Sequence, residues 1–220
     1  MASFFNLTLD TTAPAGLTLK LNNGAAYATS TSVTATIGLT DSVTTGYQMK
    51  IWGVAGAATE AEAAWATFVK SKAITLTTGD GQKTVSIKVR DDVGNETATV
   101  TAKITLDTAV PVVTITGPDK SKISKVATFN VSAFSFSANA DFEEYKIKVV
   151  PSESSLENAG TQIPVTAGST NTSGTAGGYK KDTAINVTIN GADLETASAG
   201  DGVKIVKVFV KNAAGTWSVA

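Results

Sequence analysis

The sequence predicts an all-β protein built as two tandem β-sandwich domains, and three observations carry that expectation. Thr, Ser, Ala, Val and Gly dominate the 220 residues while aromatic content is 7%, and short β-branched runs separated by Gly, Asn and Asp are the composition of paired sheets. Apolar and polar residues alternate with a period of two in many short stretches, and long helical periods are absent. The pattern Leu-Asp-Thr-x-x-Pro occurs twice, at Leu9 to Pro14 and at Leu106 to Pro111. It reads as the last strand of one domain followed by a stiff corner into the next, because proline fixes φ and cannot donate to a central ladder. The expected organisation is an N-terminal strand over 1–10, a first domain over 11–107 and a second over 108–220.

In the first domain, Leu17 to Leu21 begins the sheet and Asn22-Asn23-Gly24 turns it. Val33, Ala35, Ile37 and Leu39 then alternate with polar neighbours. Tyr47, Met49 and Ile51 form the next inward row, with Trp52 expected as a plug in the core. Thr59 to Trp65 predicts one short helix, with Thr59 as N-cap and Glu62 returning a hydrogen bond; Trp65 and Phe68 are expected to fold over one end. Ile74 and Leu76 mark a strand, Gly79-Asp80-Gly81 a tight turn, and Val85, Ile87 and Val89 a central strand. Asp91 to Asn95 turns the chain into Ala98, Val100, Ala102, Ile104 and Leu106.

The second domain repeats the plan. Val113 and Ile115 answer the first strand, Phe129, Val131 and Ala133 the second, and Tyr145 to Val149 matches Tyr47 to Ile51 at an offset of 98 residues. Gly200-Asp201-Gly202 repeats Gly79-Asp80-Gly81 at an offset of 121, and Val206, Val208 and Val210 repeat the central row. The growing offset implies an insertion, a Ser/Thr/Gly-rich loop over about 159–181, that is too polar to pack a core and serves either as a contact surface or as a tolerated excursion. Phe209 points outward from its strand, so its face is covered by the inserted loop or by a neighbouring subunit.

Charge and chemistry narrow the function. The net charge is −1 with both signs interspersed, giving no basic stripe for nucleic acid, and no stretch is long and apolar enough for membrane insertion. The chain has no cysteine and no histidine, which removes the commonest nucleophile, base and metal ligand. Glu60 and Glu62 converge with no other polar candidate, and no cofactor is expected. Asp91, Asp92 and Asn95 are the calcium candidates, as oxygen donors in one loop, although Lys211 to Gly215 replaces that loop in the second domain without a carboxylate. Five Asn-x-Ser/Thr triplets, at Asn6, Asn95, Asn130, Asn171 and Asn186, are expected by chance in a chain this rich in Ser and Thr.

With the strands in register the chain resembles tandem bacterial immunoglobulin-like domains of the kind found in phage virion proteins and bacterial surface adhesins. The resemblance is carried by the two Leu-Asp-Thr-x-x-Pro joints, Tyr47 to Gly53, Gly79-Asp80-Gly81 and Val89 to Asn95. It implies a non-enzymatic structural component of a bacteriophage particle, made in the host cytoplasm and located in the virion as a decoration, collar, tail or fibre-associated protein. The implied partners are other virion proteins and copies of the chain itself. The alternative is a surface adhesion module that binds host glycan or protein, for which Tyr179 and Trp217 are the available aromatics.

The joint repeat yields one further expectation. Ser3 to Leu9 aligns with Val100 to Leu106, the last strand of the first domain, whereas Ala220 aligns with Thr99. The N-terminal strand, with Phe5, Leu7 and Leu9 as its inward row, is therefore expected to add to the second domain of another copy. The competing expectation is that it pairs locally or with a different virion protein.

Overall fold

Alternation of period two becomes two-layer packing in both halves of the chain. The computed structural model describes residues 5–126, 131–166 and 168–219, and the chain divides into two units that part between Thr108 and Ala109.

Unit 1 contains β1 (Thr18–Leu21), a short 3-10 turn at Asn22–Gly24, β2 (Tyr27–Ala28), β3 (Ser32–Gly38) and β4 (Gln48–Trp52). These are followed by β5 (Ala66–Thr67), β6 (Ser71–Thr75), β7 (Gly81–Arg90) and β8 (Val100–Leu106). One sheet has the order β1-β3-β6 and the other β2-β8-β7-β4-β5. Leu19, Leu21, Val33, Ala35 and Ile37 of the first sheet pack with Met49, Val85, Ile87, Val89, Ile104 and Leu106 of the second. Each fully buried aliphatic side chain contributes about 1.5–3 kcal/mol, so Ile104 and Leu106 make β8 part of the core. The chain's entry is tied to the far turn, where Asn95 Nδ2 donates to the Asp10 carbonyl at 3.3 Å.

Two expectations for unit 1 are corrected, and the N-terminal segment forms no ladder within the chain. Thr59 to Trp65 forms a single turn, not a helix. The Glu62 carboxylate does accept from Thr59 N (3.0 Å) and Ala58 N (2.8 Å) as a cap should, but Ala66 and Thr67 pair with β4, and that strand pairing stops propagation. Trp52 falls on the outward parity shared by Gln48 and Lys50 and lies outside the core cluster, half-buried. The expected N-terminal strand forms no ladder over residues 5–10, and Phe5, Leu7 and Leu9 are 86%, 87% and 86% exposed; in unit 1 the place this motif suits is already filled by β8. Met1 to Phe4 lie outside the described residues.

Unit 2 contains β9 (Val113–Thr116), β10 (Val131–Ala138), β11 (Glu144–Val150), β12 (Thr161–Gln162) and β13 (Ser173–Gly174). These are followed by β14 (Ile185–Asn190), α1 (Gly191–Ala197) and β15 (Ile205–Lys211). One sheet is β14-β10-β9; in the other, β11 has β15 on one side and β12 and β13 on the opposite side. Phe136, Phe142, Tyr145 and Tyr179 make an aromatic cluster with centroids 5.0–6.3 Å apart. A Cβ at Gly174 would stand 2.2 Å from the Tyr179 hydroxyl oxygen, so that approach requires glycine.

The one α-helix among the described residues is thus in unit 2. Asn190 caps it by accepting from Ala192 N at 2.7 Å. The inserted stretch also packs more than its composition suggests: Ile163 and Thr172 are fully buried, β12 and β13 pair with β11, and Thr170 bridges to Thr188 of β14. The insertion therefore closes one side of the sandwich by joining its two sheets. In β10 the inward residues are Phe134, Phe136 and Ala138, not Ala133, a one-residue slip that reverses the expected faces; Phe129 and Asn130 lie outside the described residues. In the β11–β15 ladder Ile147 pairs with Val208, shifted by two residues from the Met49↔Val89 register of unit 1.

Phe209 is the third outcome in unit 2. It does point outward but is 0% exposed, so it is unavailable to a neighbouring subunit. The segment 153–157 lies across that face, with Lys207 Nζ donating to the carbonyls of Glu153 (2.7 Å) and Ser155 (2.6 Å) and Lys146 Nζ paired to Glu157. This cover precedes the predicted loop. Phe209→Ala should cost about 3–5 kcal/mol, read in denaturant unfolding of the full chain together with faster amide exchange in β11 and β15. Unchanged exchange there would show that the outer face does not hold the ladder.

Candidate functional site

A sandwich has two open sides, and unit 2 closes only one of them. In unit 1 the corresponding side is filled by β8, which pairs with β7 from Gly81↔Leu106 to Ile87↔Val100 and takes β2 as a parallel neighbour. β15 occupies the β7 position in unit 2, because the hairpins that follow them match atom for atom. Val89 N donates to Thr97 Oγ1 at 3.1 Å and Val210 N to Ser218 Oγ at 3.1 Å; Arg90 bridges to Glu96 as Lys211 does to Trp217. Among the described residues no strand pairs with the outer edge of β15 beyond that one bridge.

A groove runs beside this edge. A cavity of about 590 Å³ runs along this side, lined by Ile115 of β9, Phe134 of β10, Ile189 of β14, Leu194 of α1, and Val203 and Val206. Val85 is 0% exposed under β8, whereas its counterpart Val206 is only half-buried, and Val203 is 96% exposed. Lys120, Lys122 and Lys204 stand along the rim with no carboxylate in the lining. Chemically this is a strand-sized apolar slot beside a row of edge backbone groups, which suits an extended segment with alternating apolar residues.

The other expected site residues are occupied in building the fold. Asp91, 5% exposed, accepts at Oδ1 from the N–H of Val93 (3.0 Å), Gly94 (2.7 Å) and Asn95 (2.8 Å), and at Oδ2 from Asn95 Nδ2 (2.8 Å). Partial burial works against its charge, yet the Asn95 side chain and the backbone donors outweigh that and hold its carboxyl below the ordinary value. The carboxylate thus serves the turn's own donors, as Asn212 does in unit 2 by accepting from Thr216 N at 2.8 Å. Asp92 is exposed, and among the described residues no three His, Cys, Asp or Glu side chains converge. Glu60 pairs with Lys88 at 2.9 Å and Glu62 caps its turn, so neither is free for acid or base work. Tyr179 stacks on Phe142 at 5.0 Å; Trp217 lies under Lys146 (4.6 Å) and Lys211 (5.1 Å). Sequence reasoning named Phe5, Leu7 and Leu9 but missed the groove wall. Its signal was available in Ile115, Val203 and Val206, apolar residues on a side that no later strand covers.

No family model matches the sequence, and no curated protein matches it. Among solved structures it is similar to fibronectin(III)-like modules of Clostridium thermocellum CbhA, with a TM-score of 0.48, 9% identity, and coverage of 92% of this chain and 90% of that one. It is also similar to part of the chitinase ChiA74 from Bacillus thuringiensis, with a TM-score of 0.31 and 14% identity, covering 92% of this chain and 30% of the chitinase.

The Asp91 geometry fixes a pH response. A folded pKa below the unfolded value of about 3.9 gives stability that is complete above that value and is lost as pH falls through the folded pKa. Asp91→Ala should lower the thermal midpoint at pH 7 and flatten its acid dependence, with Asp91→Asn intermediate. Thermal scans from pH 7 to pH 2 check this, and an unaltered acid limb in Asp91→Ala would remove Asp91 from the turn's energetics.

Proposed function

We propose that this chain is a non-enzymatic assembly module of a bacteriophage particle, working through β-edge pairing. The observation that carries the reading is that both units are two-layer β-sandwiches whose acidic site candidates bond within the fold. The lack, among the described residues, of three or more Asp or Glu side chains that could hold a metal ion supports a contact role. So does the use of Asp91, Glu60 and Glu62 as internal bonding groups. No helix among the described residues is long and apolar enough to cross a membrane. The particle assignment rests on the resemblance of the repeated joints and turns to virion immunoglobulin-like domains. Glycan adhesion is less well supported, since the rings of Tyr179 and Trp217 are engaged by Phe142 and by two lysines.

Mass spectrometry of density-banded phage particles should find this chain at a copy number comparable to capsid or tail proteins. Its absence from particles, with recovery from the bacterial surface fraction, would overturn the reading in favour of adhesion.

A further inference from the structure

We propose that the outer face of β4 and β7 in unit 1 docks an acidic peptide segment of a partner chain, whose carboxylates pair with Lys50 and Arg90 beside the ring of Trp65. The inference goes beyond the particle assignment and does not depend on it.

Strand register builds this face. In the β4–β7 ladder Gln48 opposes Arg90 and Lys50 opposes Lys88, and all four have the parity opposite to the core residues Met49 and Val89. β5 pairs Gln48 with Thr67 and Met49 with Ala66, so Trp65 comes next, beside Lys50 on the same face. Its half-buried ring has Arg90 Cζ at 4.4 Å and Lys50 Nζ at 5.1 Å from the centroid. Gln48 Oε1 accepts from Arg90 Nε (2.8 Å) and Nη2 (2.5 Å), which fixes the guanidinium by one edge. The glutamates near this face go elsewhere, since Glu60 and Glu96 pair with Lys88 at 2.9 Å and 3.5 Å. Among the described residues no carboxylate lies within ion-pair distance of Lys50 or Arg90.

Unit 2 contains the same arrangement with its charges matched. The β11–β15 ladder sets Glu144 opposite Lys211 and Lys146 opposite Phe209. With the hairpins after β7 and β15 aligned, Lys211 stands at the Arg90 position, Lys146 at that of Lys50 and Glu144 at that of Gln48. Trp217 completes the match, with Lys146 Nζ at 4.6 Å and Lys211 Nζ at 5.1 Å from its ring. Here the carboxylates are present: Glu144 pairs with Lys211 and, at 3.5 Å, with Lys146, and Glu157 pairs with Lys146 at 2.5 Å. The hydrogen bond from Lys211 holds the Glu144 carboxyl below its ordinary value. Segment 153–157 adds carbonyls to the same cover, with Lys148 Nζ donating to that of Glu157 at 2.5 Å. A tryptophan flanked by two cations is therefore covered, in this chain, by an acidic segment.

Unit 1 keeps the tryptophan and the cations without that cover. The neutral Gln48 replaces the carboxylate of Glu144, and the turn after β4 sends Glu60 to Lys88. Two half-buried like charges around one ring repel each other, and the ring's quadrupole attracts them without neutralising either. A carboxylate set between them gains charge-assisted hydrogen bonds from Lys50 Nζ and from the guanidinium edge that Gln48 does not use. An acidic peptide is favoured over an acidic glycan because the cover on the equivalent face of unit 2 is itself a peptide segment.

The probe is a fluorescein-labelled peptide with the sequence of residues 151–158, Pro-Ser-Glu-Ser-Ser-Leu-Glu-Asn, titrated with the full chain at low ionic strength and followed by anisotropy. The expected result is saturable binding that weakens with added salt. Affinity should fall about tenfold in Lys50→Gln or Arg90→Gln, and about tenfold when both glutamates of the peptide are replaced by glutamine. Gln48→Glu, which gives unit 1 the carboxylate of unit 2, should weaken binding by a similar factor while leaving the circular dichroism spectrum unchanged. The indole N–H resonance of Trp65, assigned with Trp65→Phe, should shift on titration with unlabelled peptide while that of Trp217 stays in place. No saturable binding would overturn the proposal, as would binding that survives both Lys50→Gln and Gln48→Glu. Binding of an oligogalacturonate at Lys50 and Arg90 in place of the peptide would overturn it in favour of an acidic glycan. All of these readouts use the purified chain, so the particle assignment stands or falls separately by its mass-spectrometric test.

Discussion

The backbone groups along a sheet edge must find partners, and the hydrophobic face behind that edge must be covered; one strand can satisfy both requirements at once. In unit 1 that strand is β8. It completes the ladder of β7 from Gly81 to Ile87 and lowers Ile104 and Leu106 into the core, so hydrogen bonding and apolar burial are coupled in one element. Among the described residues of unit 2, no strand makes this coupling at β15. Val206 remains half-exposed, Val203 projects into solvent, and Ile115 of β9 faces a slot instead of a neighbour.

The opposite side of unit 2 shows how the fold handles an edge when sequence is available to finish it. The insertion after β11 does not form one long strand. Its first and last parts pair with β11 as β12 and β13, and its middle reaches across to bridge Thr188 of β14. Polar residues serve here because the need is for backbone pairing: Asn171 Nδ2 donates to the Asn186 carbonyl at 2.7 Å, and Ser169 Oγ accepts from Asn190 N at 2.9 Å. The outer face of β11 and β15 is finished in another way, with lysine side chains laid over Phe209 and anchored to the carbonyls of 153–157. Among the described residues those surfaces are closed, whereas no strand pairs along the outer edge of β15.

What could be read in the sequence follows from the same period-two logic. The inward rows of β3, β4 and β7, the outward position of Phe209 and the repeated joints are all visible, because alternation is unbroken there. It fails at β10, where apolar character moves from odd to even positions between Ala133 and Phe134, and the slip becomes invisible without the partner strand. It fails differently in β11, since a two-residue shift keeps Ile147 inward and leaves no trace in the pattern. The helix at Gly191–Ala197 carried a cap signal in Asn190, whereas the stronger signal at Thr59 and Glu62 forms its capping bond and then yields to strand pairing. Of the candidate site, the donor residues were legible as an alternating row, but the groove is a three-dimensional absence bordered by residues from β9, β10, β14 and β15.

The repeated motifs gain a physical meaning from this comparison. Leu-Asp-Thr and Gly-Asp-Gly lie about 27 residues apart in unit 1, yet they are two halves of one contact, joined through Asp80 and Thr108. Gly200-Asp201-Gly202 repeats the turn, and Leu7 to Thr11 repeats the strand end and its threonine. Each half alone is ordinary: an exposed Gly-Asp-Gly turn needs only glycine's positive φ, and an exposed alternating segment needs only solvent. In unit 1 the two halves meet directly, since Asp80 Oδ1 accepts from both the N–H and the hydroxyl of Thr108.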